Sequence, residues 1–429
     1  MGPGVLTPAF SRLAGSLHAE DVPLADIASG AGTPAFVYSL AHVRARYASL
    51  DAALTGIPHH VHYSLKANSC RAVLSALHKA GCGADVVSGG ELFRALRAGF
   101  APDDIVFGGV GKTEQEIDEA VQCGVRLLNA ESLRELQLIS TIAVGRGRAV
   151  NVGLRMNPGV AVESAHAFIK TGERGHKFGI PHDESEAAAR LALRLPNIRL
   201  RGIVMHVGSQ LRSLDAHRDG TARLLETVAA ARTAGASDLA YLDLGGGLAV
   251  DYNGEPESDL DALAAIARDA STRSGLEVLV EPGRYIVANA GVLLTRVLYR
   301  KRSGGTEYVV TDAGMTELLR PSHYDAFHRV EVVGERGGAS IIADIVGPVC
   351  ESGDFLARGR ELPDVQPGDL LAVHSAGAYG FVMASHYNAR PRAAEVVVDG
   401  ARWAVATARE SYADIVRHER AHLEWSTGT

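Results

Sequence analysis

Eight short apolar runs alternate with segments of helical spacing over residues 61–281, and this alternation constrains the fold more than any other feature. The runs are rich in β-branched residues and cover 61–66, 83–87, 104–108, 125–129, 150–156, 201–207, 240–244 and 277–281. The segments with helical spacing include 69–80, 90–98, 113–122, 131–142, 184–194, 215–234 and 259–274. A closed (β/α)₈ barrel requires eight strands joined by helical crossovers, whereas an open doubly wound sheet does not normally need eight such units in series. The pattern predicts an α/β chain with a TIM-type barrel over residues 35–290.

The rest of the chain has a different order of strand-like and helical segments. After residue 290, strand-like runs follow one another with turns and few helical segments, at 292–299, 307–311, 329–333, 340–347, 369–374 and 394–398. These runs predict a C-terminal β-domain over residues 291–429. We expect residues 1–34 to join this domain, because chain termini usually lie close together. A first strand is predicted at 35–38 and a solvent-exposed helix at 410–424.

Charge and cysteine content exclude several classes of function. A net charge of −7 and a pI near 6.2 argue against a nucleic-acid-binding surface, and no basic block suggests binding to anionic lipid. Residues 1–15 lack the basic start and apolar core of a secretory signal, and no apolar run is long enough to span a bilayer. The cysteines, at 70, 82, 123 and 350, are scattered and form no metal-ligand pattern. We expect a reduced, cytoplasmic protein without a bound metal.

Polar residues recur where the predicted barrel strands end, which is the edge that carries the chemistry of (β/α)₈ barrels. These residues are Lys66; Asp85 with Ser88; Asn157; His206 with Ser209; the glycines 245–247; and Glu281 with Gly283 and Arg284. Each has a structural alternative when it is considered alone. Asp85 could cap a helix, His206 could be a core histidine with hydrogen-bonded ring nitrogens, and the glycines could form a tight turn. Their recurrence at the same end of so many strands favours a functional site.

Lys66 is the most informative of these residues. The chain has six lysines against 37 arginines, and the other five lysines read as parts of helix faces, loops or the surface. Lys66 alone closes an apolar strand. An amine that is partly stripped of solvent loses its proton more easily and can form a Schiff base with an aldehyde. The structural alternative is a lysine that extends from a strand end into water.

The polar residues also fit one cofactor together. A lysine suits an aldehyde, the carboxylate of Glu281 suits a protonated ring nitrogen, and the ring of His206 can stack on an aromatic group. The glycine triplet lets backbone N–H groups approach a phosphate, and the hydroxyl of Ser209 adds a donor. This combination predicts pyridoxal 5′-phosphate, since a nicotinamide or flavin would leave Lys66 without a role.

Several longer motifs resemble the fold-type III pyridoxal-phosphate-dependent decarboxylases. They are YSLKAN (63–68), GADVVSGGEL (83–92), HVGSQ (206–210), DLGGG (243–247), EPGRYIVANAG (281–291), RPSHYDA (320–326), GPVCESGDFLA (347–357) and AYGFVMASHYNARPRAAEVVVDG (378–400). The resemblance covers the chain from about residue 35 to its end. It implies an eight-stranded barrel with a β-domain, and homodimers whose active sites are built from both subunits.

The resemblance also implies roles for single residues. Lys66 would carry the Schiff base, His206 would stack on the ring, Glu281 would pair with its nitrogen and Asp85 would lie beside the cofactor. The phosphate would be held by Ser209, Gly246, Gly247, Gly283 and Arg284, with a hydroxyl from Tyr379 of the β-domain. Racemases of the same fold have an arginine in place of this glutamate, so Glu281 favours decarboxylation.

A second group of residues would act on the substrate, again by resemblance. Cys350 would be the general acid supplied across the dimer interface, and Glu351 would bind a remote ammonium group. A distal carboxylate would be recognised by Arg320 and Tyr324, with Arg284 and Tyr379 also near the substrate. The implied reaction is decarboxylation of meso-2,6-diaminopimelate to L-lysine and CO₂.

Two alternatives remain open on the sequence. One is a paralogous decarboxylase that acts on another diamino or carboxylated amine, because the sequence of the loop 160–180 departs from the usual sequence of the family. The other is an inactive regulatory homologue. Such proteins usually lose the lysine or the acid, whereas this chain retains Lys66 and Cys350.

Overall fold

The computed structural model describes residues 8–161 and 175–426, so most of the loop 160–180 and Lys170 lie outside the described residues. The chain forms two compact units. The first, the barrel unit, consists of Tyr38–Gly291 and Ser375–Val382 together with residues 8–10. The second, the β-rich unit, consists of Ser11–Val37, Val292–His374 and residues 383–426.

Eight parallel strands close the barrel of the first unit. Their bounds are His59–Ser64, Gly83–Val86, Ile105–Phe107, Leu127–Ala130, Val150–Asn157, Ile198–Met205, Tyr241–Asp243 and Glu277–Val280. Each strand pairs with the next, and the last pairs back onto the first through Val278 and His59. A short strand, Ile180–Pro181, also pairs with Val150–Asn157. The predicted (β/α)₈ barrel is confirmed.

Most positions of the strands are buried because both faces of the barrel wall are covered. All residues of Gly83–Val86, Ile105–Phe107 and Leu127–Ala130 are buried. Inside the barrel, a buried cluster is formed by Val106, Leu127, Val204 and Leu279. The barrel is thus a packed core, and only the residues beyond its strand ends can meet a ligand.

Helices cover the outside of the barrel. They are Leu40–Ala53, Arg71–Lys79, Gly89–Ala98, Glu114–Cys123, Leu133–Gly145, Ser185–Arg194, Asp215–Thr233, Leu260–Ser274 and the short Arg284–Val287. Side-chain caps start several of them: Ser88 accepts from the N–H of Glu91, and Thr113 forms a capping box with Glu116. Ser88, a candidate site residue by position, therefore has a structural role as a helix cap.

The β-rich unit is built on a large mixed sheet. Its path runs through Phe355–Pro363, Ser340–Val346, Thr306–Thr311, Gly291–Ser303, Ala35–Ser39, Ala394–Asp399 and Arg402–Thr407. The strands Leu370–Val373 and Val330–Val332 pair beside Gly291–Ser303. A small sheet contains Phe10–Leu13, Ser16–Ala19 and Val22–Pro23, and the helices are Leu24–Ala31, Arg320–Tyr324 and Tyr412–Val416. The expected β-domain is confirmed as a fold element.

The structure differs from the predictions for this unit in three places. The strands Phe355–Pro363 and Arg402–Thr407 were not predicted, because bulges interrupt the pairing of the first and most of the second is exposed. The predicted helix at 410–424 is wrong for most of its length, since only Tyr412–Val416 is helical.

None of the helices in residues 8–161 and 175–426 combines the length and the apolar character that a bilayer-spanning helix needs.

Candidate active site

Lys66 lies at the carboxyl-terminal edge of the barrel. The strand His59–Ser64 runs into a 3₁₀ turn at Leu65–Ala67, so the lysine stands two residues beyond the strand. Its Nζ donates to Asp85 Oδ2 at 3.2 Å, and its side chain is 35% exposed. Asp85 is only 2% exposed, and its Oδ2 also accepts from the Ser64 hydroxyl at 2.6 Å. Asp85 is therefore a buried partner of the lysine and not a helix cap.

The surroundings of Lys66 hold its proton. Burial lowers the pKa of this amine, but acidic neighbours, chiefly Asp85, raise it, and the net result lies above its ordinary value. The expectation that Lys66 loses its proton easily is wrong for this arrangement of side chains. The physical reason is that acidic neighbours outweigh the cost of desolvation.

The turn at 245–247 is fixed by its own backbone geometry. Gly245 and Gly247 have φ angles of 71° and 98°, and a Cβ on Gly246 would overlap the carbonyl oxygen of Glu281. The buried ring of His217 bonds the Gly246 carbonyl through Nε2 at 2.8 Å. Asp243 Oδ1 accepts from the Gly245 N–H at 2.8 Å. The turn thus requires glycine sterically, and it is held beside the strand that leads to Glu281.

His206 is neutral and has a defined tautomer. Burial and the nearby charges of Lys66 and Arg155 lower the pKa of this imidazole well below its usual value. Its Nδ1 accepts from the Gly246 N–H at 3.3 Å, so the proton of the neutral ring is on Nε2. A neutral ring in this place is compatible with stacking on a flat aromatic group.

Two buried carboxyls, Glu281 and Asp243, face each other at the ends of neighbouring strands. Burial and the Asp243 and Asp85 carboxyls raise the pKa of Glu281 well above its ordinary value. Burial also raises the pKa of Asp243 to about 7, although the Gly245 N–H opposes this shift. Asp243 Oδ2 is buried without a hydrogen-bond partner among the described residues. The pair holds a proton at neutral pH that it can share with a basic group.

The buried guanidinium of Arg284 donates to two hydroxyl groups and lies beside a tyrosine ring. Its Nη2 and Nε donate to the Ser209 hydroxyl at 3.1 and 3.3 Å, and its Nη1 donates to the Tyr252 hydroxyl at 2.7 Å. The ring of Tyr379 lies 4.9 Å from the guanidinium carbon. The Tyr379 N–H donates to the Ala67 carbonyl at 2.8 Å, which joins this segment to the turn that carries Lys66. The arginine and the hydroxyls form a cluster suited to an anion such as a phosphate.

Tyr379 belongs to a different unit from the one that the sequence suggested. The family resemblance implied that it belongs to the β-domain, whereas the structure groups Ser375–Val382 with the barrel. The first predicted strand shows the converse, because Ala35–Ser39 lies in the sheet of the β-rich unit although the predicted barrel began at residue 35. Sequence order does not reveal either exchange.

Sequence reasoning missed several polar residues at this edge of the barrel. They include Asp243, Tyr252, His217 and Arg155. The Arg155 guanidinium donates to Glu131 Oε1 at 2.5 Å. Asp243 opens the DLGGG motif and Arg155 stands two residues before Asn157, so position alone could have identified both. Asn157 itself is structural, since its side chain bonds the Phe178 carbonyl and the Gly159 N–H.

Lys112 is a further correction. It was expected in a loop or at the surface, but its side chain is fully buried at 0% exposure. Its Nζ donates to the carbonyls of Gly109 and Asn129 at 2.7 and 2.8 Å and pairs with Glu135 at 2.9 Å. Burial lowers the pKa of this amine, although Glu135 opposes the shift. Lys66 is therefore not distinguished by burial but by facing the cluster of polar strand ends.

In the β-rich unit, Cys350 and Glu351 lie together in an exposed loop. The Cys350 N–H donates to Asn388 Oδ1 at 3.0 Å, and the Glu351 carboxylate accepts from the Gly353 N–H at 3.2 Å. Buried Asp354 shapes this loop by accepting from the N–H groups of Val349 and Met315, both at 2.6 Å. The thiol and the carboxylate are thus presented at the surface of this unit by a fixed loop.

Arg320 and Tyr324 lie on one short helix next to this loop. A Cβ on Gly353 would lie 3.1 Å from the hydroxyl of Ser322, which is in the same helix. Arg320 is 7% exposed, and its Nη1 lies 2.9 Å from His328 Nε2. The Tyr324 ring is half-buried and meets the His323 ring edge-on at 4.5 Å. Both elements of the expected substrate group are therefore neighbours within this unit.

The predicted site residues fall into two groups. The barrel unit brings together Lys66, Asp85, His206, Ser209, Gly246, Gly247, Glu281, Gly283, Arg284 and Tyr379. The β-rich unit contains Arg320, Tyr324, Cys350 and Glu351. The first group forms one polar edge of the barrel, and the second forms one patch on the other unit.

A family model described as "Pyridoxal-dependent decarboxylase, pyridoxal binding domain" matches residues 40–288. Diaminopimelate decarboxylase of Pseudomonas fluorescens is 45% identical to this chain, over 96% of this chain and 98% of the relative. The match therefore includes the β-rich unit as well as the barrel.

Solved structures agree over a similar extent. Diaminopimelate decarboxylase of Helicobacter pylori complexed with L-lysine superposes with a TM-score of 0.89 at 35% identity, covering 92% of this chain and 99% of that one. The enzyme of M. jannaschii in complex with L-lysine gives a TM-score of 0.91 at 32% identity, covering 96% and 98%.

Proposed function

We propose that this chain, which belongs to the pyridoxal-dependent decarboxylase family, removes one carboxylate from meso-2,6-diaminopimelate and releases L-lysine and CO₂. The observation that carries the proposal is the barrel edge, where one amine, a pair of carboxyls that holds a proton, and an arginine with two hydroxyls meet. The substrate follows from the relatives, since diaminopimelate decarboxylases resemble the chain over nearly its whole length.

The residues at the barrel edge fit pyridoxal 5′-phosphate. Lys66 offers an amine to the aldehyde, and Glu281 offers a proton to the ring nitrogen. The cluster of Arg284, Ser209 and Tyr379, with the backbone at Gly246, offers donors to the phosphate. The bound cofactor supplies an electron-poor ring that accepts the electron pair left when CO₂ departs.

Each residue of the barrel edge then has a task that its surroundings support. Asp85 is placed to accept a proton from Lys66 Nζ, which its charge otherwise holds on the amine. Glu281, with Asp243 behind it, holds a proton for the ring nitrogen, because burial disfavours its charged form. His206 offers a neutral face for stacking, and Gly283 leaves room where the chain passes Ser64 and Ala67.

The residues of the β-rich unit act on the substrate in this proposal. Cys350 donates a proton to the α-carbon after CO₂ leaves, and Glu351 binds the ammonium group at the far end of the substrate. Arg320 and Tyr324 bind the distal carboxylate, with Arg284 and Tyr379 also contributing. A buried arginine left without its carboxylate costs about 2–5 kcal/mol, so lysine, the product, should be a poor substrate.

The active form in this proposal is a cytoplasmic homodimer, in which Cys350 and Glu351 complete the site of the neighbouring copy. The exposure of the Cys350 loop supports this assignment, and the four free cysteines fit a reducing compartment. Mixing Lys66→Ala and Cys350→Ala proteins tests the shared site. Hybrid dimers with one intact site should restore about a quarter of wild-type activity, whereas sites within single chains would restore none.

CO₂ release from meso-diaminopimelate, lysine, ornithine and arginine, measured side by side, tests the reaction and its substrate. We expect rapid release from diaminopimelate and slower release from the three monocarboxylates by about 10⁴-fold, the discrimination available to a site with buried polar groups. Release from lysine or ornithine at the rate of diaminopimelate would overturn the substrate assignment.

A further inference from the structure

A buried histidine contacts the Arg320 guanidinium in the β-rich unit. His328 is 0% exposed, and its Nε2 lies 2.9 Å from Arg320 Nη1. Its other ring nitrogen, Nδ1, lies 2.8 Å from the carbonyl oxygen of His374. Neither the fold nor the motif that contains Arg320 explains why an imidazole should fill this place.

Two contacts of the His328 ring fix its protonation. A carbonyl oxygen can only accept a hydrogen bond, so Nδ1 must carry a proton. A guanidinium can only donate, so Nε2 must present a lone pair. His328 is therefore a neutral imidazole with its proton on Nδ1, and the bond to Arg320 runs from the guanidinium to the ring.

The carbonyl that orients His328 belongs to a residue that is itself held in place. His374 has a buried side chain whose Nε2 lies 3.1 Å from Glu331 Oε2, and Arg12 pairs with the other oxygen of that carboxylate at 2.9 Å. The His374 N–H donates to the Arg329 carbonyl at 2.8 Å. A ring anchored on this backbone has one orientation, which directs its lone pair at Arg320.

A neutral partner also has an electrostatic consequence. The pair of Arg320 and His328 carries a net charge of +1, whereas an arginine paired with a carboxylate, such as Arg155 with Glu131, carries none. A guanidinium oriented by an imidazole thus retains its attraction for an anion. Orientation by a carboxylate would compete with that anion instead.

We propose that His328 is a positioning residue for substrate selection: its neutral ring fixes the Arg320 guanidinium and preserves the positive charge for a substrate carboxylate. This inference rests on the proposed function, in which Arg320 binds the distal carboxylate of diaminopimelate. His328 itself touches neither the substrate nor the cofactor in this proposal. Its effect should appear in KM for the diacid and not in the chemical step.

Three substitutions separate the parts of this role in the holoenzyme. His328→Gln places an amide oxygen near the Nε2 position and should leave KM for meso-diaminopimelate nearly unchanged. His328→Asn retains a donor near Nδ1 but does not reach Arg320, so KM should rise about 10- to 100-fold, the range for a lost hydrogen bond to a charged group. His328→Glu can pair with Arg320 and remain folded, but it cancels the charge, so KM should rise at least as much. In each case kcat and the cofactor absorbance should stay close to those of wild type.

A matched control is His18→Asn in the same unit. His18 also bonds a main-chain carbonyl through Nδ1, that of Ser16 at 3.0 Å, and its replacement should leave KM and kcat unchanged. An unchanged KM in both His328→Asn and His328→Glu would overturn the inference, as would a fall in kcat without a rise in KM. If wild type does not decarboxylate diaminopimelate, or if Arg320→Ala leaves its KM unchanged, the proposed function fails first. The two failures are therefore distinguishable.

Discussion

The buried carboxyls of the barrel edge and the Glu331 carboxylate of the β-rich unit respond to their surroundings in opposite directions. At the barrel edge, burial raises the pKa of Glu281, and it raises the pKa of Asp243 to about 7. In the β-rich unit, the hydrogen bond from His374 and the bond from Arg12 lower the pKa of Glu331 to about 2 against the effect of burial.

The opposite pKa shifts indicate what kind of group each set of carboxyls can interact with. Carboxyls crowded together with few cationic partners hold protons, and they become charged only when a cation or a basic nitrogen arrives. A carboxylate enclosed by arginine and histidine stays ionised and serves as an anchor for them. The carboxyls of the barrel edge thus hold protons, whereas the Glu331 carboxylate of the β-rich unit holds cationic side chains in place.

The largest expected effect comes from removing the amine of the barrel edge. Lys66→Ala should reduce turnover to background, because the cofactor aldehyde loses its covalent partner. Borohydride reduction followed by peptide mass spectrometry should find the cofactor on Lys66 in wild type and on no peptide of the variant. Lys79→Ala, at an exposed helix end, is the control and should behave as wild type. Turnover that survives Lys66→Ala would remove the barrel edge from the chemistry.

Removing the thiol of the other unit should have the next largest effect. Cys350→Ala should lower kcat by roughly 10²- to 10⁴-fold, the usual contribution of a positioned general acid, while the cofactor stays bound. Turnover in D₂O should then give product with less stereospecific deuterium at the α-carbon. Cys123→Ala, at the end of a barrel helix, serves as the control thiol. Unchanged kinetics in Cys350→Ala would count against a role for this loop.

Arg320→Ala should act on substrate binding more than on the cofactor. Truncating a buried, hydrogen-bonded charge costs about 2–5 kcal/mol, so we expect KM for the diacid to rise about 30-fold or more. The absorbance of the bound cofactor should remain. Arg402→Ala is the matched control, since that arginine is 86% exposed in the same unit. A normal KM in Arg320→Ala would leave the distal carboxylate without its proposed partner.

The smallest effect concerns stability against pH, and it tests the comparison directly. Asp243 has a folded pKa of about 7, above its ordinary value of 3.8, so its contribution to stability is complete below pH 3.8 and is lost as pH rises through 7. In protein stripped of cofactor, the thermal midpoint should decrease as pH rises from about 4 to about 7. Asp243→Asn should flatten this fall by about 2–4 °C.

Glu331→Gln provides the opposite case. The folded pKa of Glu331 is about 2 against an ordinary 4.5, so its contribution is present above pH 4.5 and is lost as pH falls through 2. The variant should be less stable than wild type at neutral pH, and the gap should shrink on acidification. If both variants changed stability with the same sign of pH dependence, the contrast between the two regions would be broken.

The barrel was predictable from sequence because eight strands buried on both faces leave eight separate apolar runs. Lys66, Glu281 and the glycine turn were accessible for the same reason, since barrel chemistry is confined to strand ends. Properties that depend on long-range packing were not accessible. Bulges interrupt the pairing of the strand Phe355–Pro363, so its sequence lacks a regular strand pattern. The strand Ala35–Ser39 joins a sheet whose other strands begin more than 250 residues later.

Electrostatic state was the least predictable property of the site. The sequence suggested an easily deprotonated Lys66 because a strand end implies desolvation. The opposing contribution comes chiefly from Asp85, which lies on another strand of the barrel. Lys112 was likewise assigned to a loop or the surface, and only the structure reveals the carbonyls and Glu135 that enclose it.

The turn at Gly246 has an evolutionary consequence. Because any larger residue there would overlap the Glu281 carbonyl, selection for folding alone would preserve this glycine in a descendant that had lost its catalytic function. Lys66 has no such steric protection, since an alanine would fit its partly exposed position. Among descendants of this chain, the lysine and not the glycine motif would mark those that still perform chemistry.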